Sequence, residues 1–201
     1  MENLDQLAKT LERKGFRVTS YETGDAVRQA LLSEIAAGET VGVGGSVTIR
    51  DLDILGALAE KKCAVHWHWL APENMDEARR LAANADVYLS STNAITRAGE
   101  LVNIDGAGNR VAAMFYGPKR SIVVIGRNKI AADYESAIKR IKEVACPKNA
   151  VRLSLDTPCA KTGKCGDCAP GLRMCKVTTI ISHPPGKHDM HIMLVNEDMG
   201  F

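Results

Sequence analysis

The chain has 201 residues, of which 45% are hydrophobic, 26 are Lys or Arg and 24 are Asp or Glu. A formal net charge of only +2 excludes the strongly basic surface of a nucleic-acid-binding protein, and no apolar run approaches the roughly 18 residues that span a bilayer. The charged N-terminal segment lacks the apolar core of a signal peptide, so we expect a cytoplasmic protein with one domain over residues 1–201.

The first 90 residues alternate between helical and extended patterns. Apolar residues spaced three and four apart predict helices, and short apolar runs bounded by glycine or proline predict strands. The predicted helices are 4–15, 25–37, 49–58 and 73–84, and the predicted strands are 16–21, 41–43, 63–69 and 87–90. This alternation predicts an α/β fold: a Rossmann-like, mostly parallel sheet with helices on both faces.

The pattern changes after residue 91. Two apolar runs around a glycine-rich turn, 101–104 and 111–115, predict a hairpin. A buried type of strand follows at 121–125, then a helix at 131–145 with Pro147 just beyond its end. A Cys-rich insert at about 156–176 precedes two closing strands, 177–181 and 191–195.

The glycine-rich segment TVGVGGSVTIR, residues 40–50, reads as a strand, a tight turn and a helix start. Backbone N–H groups at such a turn can hold an anion, although many such turns only connect a strand to a helix. The predicted ligand-binding residues here are Gly44, Gly45, Ser46 and Thr48. The third glycine of the dinucleotide fingerprint is absent, so we expect no NAD or FAD site.

Four segments in fixed order resemble the lactate-utilisation (LUD) domain family. They are GVGGSVT, ADVYLSSTNAITRAGELVNIDGAGNRVAAMFYGPKRSIVVIGRNKI, TPCAKTGKCGDC and IMLVNEDMGF. The resemblance implies a fold like that of ribose-5-phosphate isomerase and the CoA transferases, with a ligand site over the glycine loop. It also implies an accessory role in the oxidation of lactate to pyruvate, beside iron–sulfur protein subunits. The CoA transferases use a glutamate nucleophile in an E-x-G loop, where this chain has Arg97, and an arginine is an anion clamp instead.

The loop after the predicted strand at 87–90 should form the second wall of the ligand site, because ligands of parallel sheets bind beyond the carboxyl ends of the strands. Its predicted ligand-binding residues are Thr92, Asn93 and Arg97. Glu100 and Asp105 are candidate catalytic bases; the alternatives are a solvated Glu100 and a turn-forming Asp105. Asn128 and Lys129 could add an anion contact, although a lysine in such a place is more often exposed.

The Cys-rich insert carries four candidate metal ligands, Cys159, Cys165, Cys168 and Cys175. Four thiolates can hold zinc or a [4Fe–4S] cluster, and the spacing matches neither a regular zinc ribbon nor a common ferredoxin run. The alternative is a reduced Cys-rich loop. The two remaining cysteines, Cys63 and Cys146, are expected in the core.

These observations favour an accessory or catalytic protein in the oxidation of lactate or a similar 2-hydroxy acid. The expected ligand is a small anionic metabolite. Iron–sulfur protein subunits and a second copy of the chain are the candidate protein partners. We expect binding to neither nucleic acid nor a membrane. Whether the protein is an enzyme stays open. The alternatives are a non-catalytic ligand-binding sensor and an isomerase or acyl-transfer enzyme.

Overall fold

Two β-sheets organise the protein in a computed structural model, which describes residues 4–201. The strands are β1 Arg17–Tyr21, β2 Thr40–Val43, β3 Ala64–Trp67, β4 Val87–Ser90, β5 Ala94–Thr96, β6 Leu101–Asp105, β7 Arg120–Gly126, β8 Ile130–Ala131, β9 Val177–Ile181 and β10 Asp189–Val195. The first sheet has six strands in the order β1-β10-β7-β4-β2-β3, and every neighbouring pair is parallel. The second sheet is mixed, with the order β8-β5-β6-β9.

Helices cover both faces of the parallel sheet, as the sequence predicts. The α-helices of the described chain are α1 Leu4–Arg13, α2 Gly24–Glu34, α3 Val47–Asp51, α4 Leu55–Glu60, α5 Met75–Ala82, α6 Asn109–Phe115, α7 Tyr134–Arg140, α8 Cys146–Arg152 and α9 Pro158–Thr162. Helix α7 packs on the second sheet. On one face α2, α3 and α4 pack on residues such as Leu89 and Val124. On the other face α1, α5 and α6 pack on Tyr88 and Val123. Adjacent strand residues thus point to opposite cores, which is why the central strands read as continuous apolar runs.

The predicted hairpin partner at residues 111–115 is wrong, because that segment is helix α6. Gly108, at φ +85°, precedes the helix, and its buried residues Val111 and Met114 fall one helical turn apart. Strand β6 instead pairs antiparallel with two other strands, the three-residue strand β5 just before it and β9 near the C-terminus. The hairpin therefore exists one segment earlier in the chain, and its turn contains Gly99 at φ +77°.

The helix predicted to end before Pro147 continues through it. Helix α7 is followed by a π-helical turn, Ile141–Ala145, and then by α8, in which Pro147 stands near the N-terminus. The Cys146 N–H donates to the Ile141 carbonyl, five residues back. The wider turn accommodates a proline, which has no N–H to donate and would clash inside a regular helix. Helix α8 can thereby deliver its side chains to the site described below.

Within residues 4–201, the helices are all too short or too polar to cross a membrane.

Candidate functional site

A pocket of about 310 Å³ lies between the two sheets, at the carboxyl ends of strands β2 and β4. Its walls come from the turn after β2, the loop after β4, the end of β6 and one side of helix α8. Strands that run parallel end at one edge of the sheet, so the loops that follow them converge there. The pocket joins segments up to about 150 residues apart in the chain, from Gly45 to Phe201.

The glycine loop contributes hydroxyl groups to the pocket more than it contributes a helix dipole. Gly44 donates its N–H to the Leu89 carbonyl at 2.9 Å, and an added Cβ would lie 2.9 Å from the Tyr88 hydroxyl. Helix α3, which starts after the loop, has only five residues, and the Ser46 side chain caps it by accepting the Ile49 N–H at 3.3 Å. A helix this short supplies little field, so charged side chains must supply the rest.

Lys129 is buried, at 3% exposure, so the expectation of an exposed lysine is wrong. Its Nζ lies 2.7 Å from Thr48 Oγ1 and 2.8 Å from Ser91 Oγ. Burial lowers the pKa of Lys129 well below its usual range, and the charges of Arg140 and Arg110 act in the same direction. Among the residues described, no carboxylate forms an ion pair with this amine. The pocket therefore contains an amine that favours its neutral form.

Arg110 holds the pocket wall together. Its Nε donates to Asp105 Oδ2 at 3.1 Å, and both side chains are only 9% exposed. Nη1 donates to the Ser91 carbonyl and to Asn103 Oδ1, and Nη2 donates to Asn93 Oδ1 and to a backbone carbonyl at the end of β6. These contacts use all five N–H groups of the guanidinium. Arg110 therefore positions the loop after β4 and has no donor left for a ligand.

A second arginine, Arg152 at the end of α8, lines the opposite wall. Its guanidinium carbon lies 4.3 Å from the centre of the Trp69 ring, and its Nε and Nη2 donate to Asn149 Oδ1 at 3.0 and 2.8 Å. Over residues 4–201 no carboxylate pairs with Arg152. Burial, with the nearby charges of Arg79 and Arg152, lowers the pKa of His68 and favours its neutral form. Arg152 thus presents to the pocket a guanidinium that has no carboxylate partner among the described residues.

Sequence comparison identifies the family. The family model of the LUD domain matches residues 4–195. The chain belongs to the LUD domain family. A DUF162 family protein from Deinococcus radiodurans is 13% identical and has a TM-score of 0.55, with 96% of this LUD domain and 95% of that chain covered. This likeness shows the fold, since the identity is low. No curated protein matches the sequence.

A second structural match is too weak to show a shared fold. The β subunit of eIF2B from Chaetomium thermophilum is 17% identical to the LUD domain, and its TM-score is 0.32. The match covers 65% of this chain and 40% of that one.

The LUD domain brings six of the nine predicted ligand-binding and catalytic residues to the pocket. These six are Gly45, Ser46, Thr48, Thr92, Asn93 and Asp105. Gly44 lies behind the pocket wall, as its contacts with β4 show. Arg97 and Glu100 do not line the pocket either: Gly99, between them, packs on Leu11 of α1, and Glu100 pairs with the Thr96 hydroxyl at 3.2 Å.

Asp105 carries out the turn-forming role that was the alternative to catalysis. Its Oδ1 accepts the Gly108 N–H at 2.8 Å, and its Oδ2 accepts from Arg110. Both carboxylate oxygens are therefore engaged in holding the wall. Sequence reasoning missed two pocket residues, Arg110 and Arg152, and it did not foresee that Lys129 is buried. An Arg five residues after Asp105 was a usable signal only if residues 109–115 had been assigned to a helix.

The cysteines of the LUD domain do not form a ligand set as arranged here. Within the described chain, no three His, Cys, Asp or Glu side chains are placed to hold a metal ion. Cys159 is buried, Cys165 is exposed, and Cys168 is partly buried. Cys175 instead meets Cys146, with their Sγ atoms 3.3 Å apart, and both line the pocket. The zinc or [4Fe–4S] site stays a prediction.

The thiols of Cys146 and Cys175 have pKa values shifted in opposite directions. The hydrogen bond with Cys146 lowers the pKa of Cys175 to about 7, although burial opposes this, and Arg173 and Lys142 lower it further. The same contact raises the pKa of Cys146. Cys175 is thus the more readily ionised thiol of the two.

Proposed function

We propose that this LUD domain binds a small anionic metabolite, a 2-hydroxy acid such as lactate or its 2-oxo counterpart, in the pocket at the ends of β2 and β4. The observation that supports this most is the uncompensated guanidinium of Arg152 in the pocket wall. Two opposite unit charges about 4 Å apart near a protein surface attract each other by about 4 kcal/mol, before the cost of their desolvation is subtracted. A guanidinium also matches a carboxylate in geometry.

The charge balance of the pocket favours the same class of ligand. Three arginines line it, namely Arg79, Arg110 and Arg152, and Lys129 adds an amine that favours its neutral form. Arg79 pairs with Asp76, and Asp105, the one carboxylate side chain among the described lining residues, is engaged by Arg110 and by the Gly108 N–H. Arg152 is therefore the lining guanidinium that the described residues leave without a carboxylate partner. A volume of about 310 Å³ lies at the small end of ligand pockets and suits a metabolite of a few carbon atoms.

Membership of the LUD domain family supports a role in lactate utilisation, and we propose that the protein is an accessory or a catalytic protein there. The acyl-transfer and isomerase alternatives need a free carboxylate at the ligand. Glu100 does not line the pocket, and both oxygens of Asp105 are engaged, so neither alternative gains support from the geometry. A non-catalytic sensor needs only binding, and it is retained as the second candidate.

Calorimetric titration with L-lactate and with pyruvate tests the binding proposal. Arg152→Ala should weaken binding about ten-fold or more, because a charge-assisted hydrogen bond contributes about 1.5–3 kcal/mol. The matched control is Arg80→Ala, since Arg80 is an exposed arginine that pairs with Glu77 at 2.7 Å and lies outside the pocket. Thermal unfolding of each variant shows that it is folded. Binding of neither acid, or equal binding by wild type and Arg152→Ala, would contradict the proposal.

A turnover assay separates the catalytic protein from the sensor. The protein is mixed with lactate and an artificial electron acceptor, alone and with candidate iron–sulfur subunits. Pyruvate formation in either setting supports a role in oxidation. Ligand-induced stabilisation without any turnover supports the sensor.

Elemental analysis tests the proposed zinc or [4Fe–4S] site at the Cys-rich insert. Protein purified without oxygen should contain zinc or iron in near-stoichiometric amount, and Cys165→Ser should lose it. Cys63→Ser is the matched control, because Cys63 lies beside the main core and outside the insert. Folded, metal-free wild-type protein would remove the metal proposal and leave the binding proposal untouched.

A further inference from the structure

Lys129 lies at a buried position, where a charged ammonium group would destabilise the fold. It follows strand β7 in a short 3-10 turn, Arg127–Lys129, and its side chain runs inward to the pocket with 3% exposure. Burying an ammonium group without a carboxylate is strongly unfavourable, so the group responds by losing its proton. A neutral amine is a nucleophile, whereas an ammonium is not.

The hydrogen bonds around Nζ leave its lone pair unused. Ser91 Oγ donates its own hydrogen to the Val124 carbonyl at 2.6 Å, and Thr48 Oγ1 donates to the Met199 carbonyl at 3.4 Å. Both hydroxyl oxygens therefore accept from Lys129, at 2.8 and 2.7 Å. A neutral amine has two N–H groups, and these two contacts use both. A third N–H of an ammonium would find no further acceptor among residues 4–201.

We propose that Lys129 forms an imine with the carbonyl carbon of a 2-oxo acid bound in this pocket, an inference that rests on the proposed function for its ligand. The charges favour an acid over a neutral ketone. A protonated imine is a cation, and Arg110 and Arg140 already disfavour positive charge at this position. The carboxylate of a bound 2-oxo acid brings the negative charge that the protein does not supply there.

The reaction balances without an oxidant or a reductant. The Nζ lone pair forms a bond to C2 of the acid, and the carbonyl π electrons move to the oxygen. A proton passes from nitrogen to that oxygen and gives a carbinolamine. The remaining N–H proton passes to the hydroxyl group, the C–O bond breaks and water leaves. The electron pair that the first proton transfer left on nitrogen forms the C=N bond. The imine withdraws electrons from C2 and C3, which is the usual gain of covalent catalysis by lysine.

Reductive trapping tests the imine. Wild-type protein is incubated with pyruvate and sodium cyanoborohydride, whose hydride reduces a C=N bond to a stable amine, and the product is analysed by intact mass and peptide mapping. We expect one pyruvate-derived adduct, on Lys129, at about ten-fold or more the level on exposed Lys187. An exposed lysine with a pKa of about 10.4 is almost entirely protonated at neutral pH and reacts slowly.

Variants and a second ligand make the result specific. Lys129→Met removes the amine and keeps an unbranched side chain, so the adduct should disappear, whereas Lys187→Met should leave it unchanged. Dihydroxyacetone, a neutral ketone of similar size, should label Lys129 far less than pyruvate does. If Lys129→Met does not fold, the peptide map of the wild-type adduct decides the question without it.

Parallel calorimetry separates this inference from the proposed function. Pyruvate that binds without forming an adduct on Lys129, or that labels exposed lysines equally, overturns the imine and leaves the binding proposal intact. No binding and no adduct overturns both. Adduct on Lys129 with pyruvate and little with dihydroxyacetone supports both.

Discussion

Replacing Arg110 with Met should strongly lower the free energy of unfolding. Arg110 makes five side-chain hydrogen bonds that tie helix α6 to the loop after β4 and to the end of β6. Methionine keeps an unbranched apolar side chain of similar length but donates none of them. Two acceptors retain other partners, since Asn103 Oδ1 still accepts the Asn93 N–H at 3.1 Å and Asn93 Oδ1 still accepts the Ile104 N–H at 3.0 Å. The main loss is therefore at Asp105.

The magnitude follows from the isolated carboxylate. Asp105 is 9% exposed, and in Arg110→Met its charge keeps only the Gly108 N–H as a partner. Breaking a buried ion pair from one side costs about 3–5 kcal/mol, because the remaining charge is buried without compensation. That is a large part of the 5–15 kcal/mol by which domains are typically stable. Adding Asp105→Asn removes the charge, so the double variant should recover about 1–3 kcal/mol.

Equilibrium unfolding in urea measures these differences, provided that the slope m is the same for each variant. The matched control is Arg80→Met, which breaks an exposed pair with Glu77 and should cost less than about 1 kcal/mol. If Arg110→Met costs no more than Arg80→Met, the Asp105–Arg110 pair does not stabilise the fold as expected. If the double variant is no more stable than Arg110→Met alone, the unpaired Asp105 charge is not the cause of the loss.

The remaining predictions concern packing, pH and the thiol pair. Gly42→Ala should cost about 1–3 kcal/mol in urea unfolding, because its methyl group would overlap a carbonyl oxygen of α5, whereas Gly56→Ala, with no atom within 4 Å, should stabilise α4 by up to about 1 kcal/mol. An arginine partner lowers the pKa of Glu39, so its pairing stabilises the fold above about pH 4.3 and is lost as the pH falls; Glu39→Gln should flatten that part of the pH–stability curve, and an unchanged curve would contradict this. Oxidised glutathione should join Cys146 to Cys175, seen as a mass loss of two hydrogen atoms, and separate mixed disulfides on the two thiols would count against the 3.3 Å contact.

Local periodicity was enough to predict most of the fold. The strand at 87–90 is observed with those bounds, and 121–125 lies within β7, because a short apolar run between turn residues is typical of a parallel strand that is buried on both faces. Helix α1 was equally clear from Leu4, Leu7 and Leu11, which are all buried. The short elements were not predictable in the same way. Strand β5 has three residues, too few for a period, and α6 carries apolar residues that suit either a strand or a helix.

The α/β class, the family and the two loops that meet at the pocket were predictable from the amino-acid sequence. Which charged and thiol side chains line the pocket depends on tertiary contacts. Lys129 is buried by contacts with residues 38 and 81 positions away, and Cys146 meets Cys175 across 29 positions. Likewise, Arg152 reaches the site only because the helix continues past Pro147. Burial, pKa and charge pairing depend on distant neighbours, and no local pattern of residues encodes them.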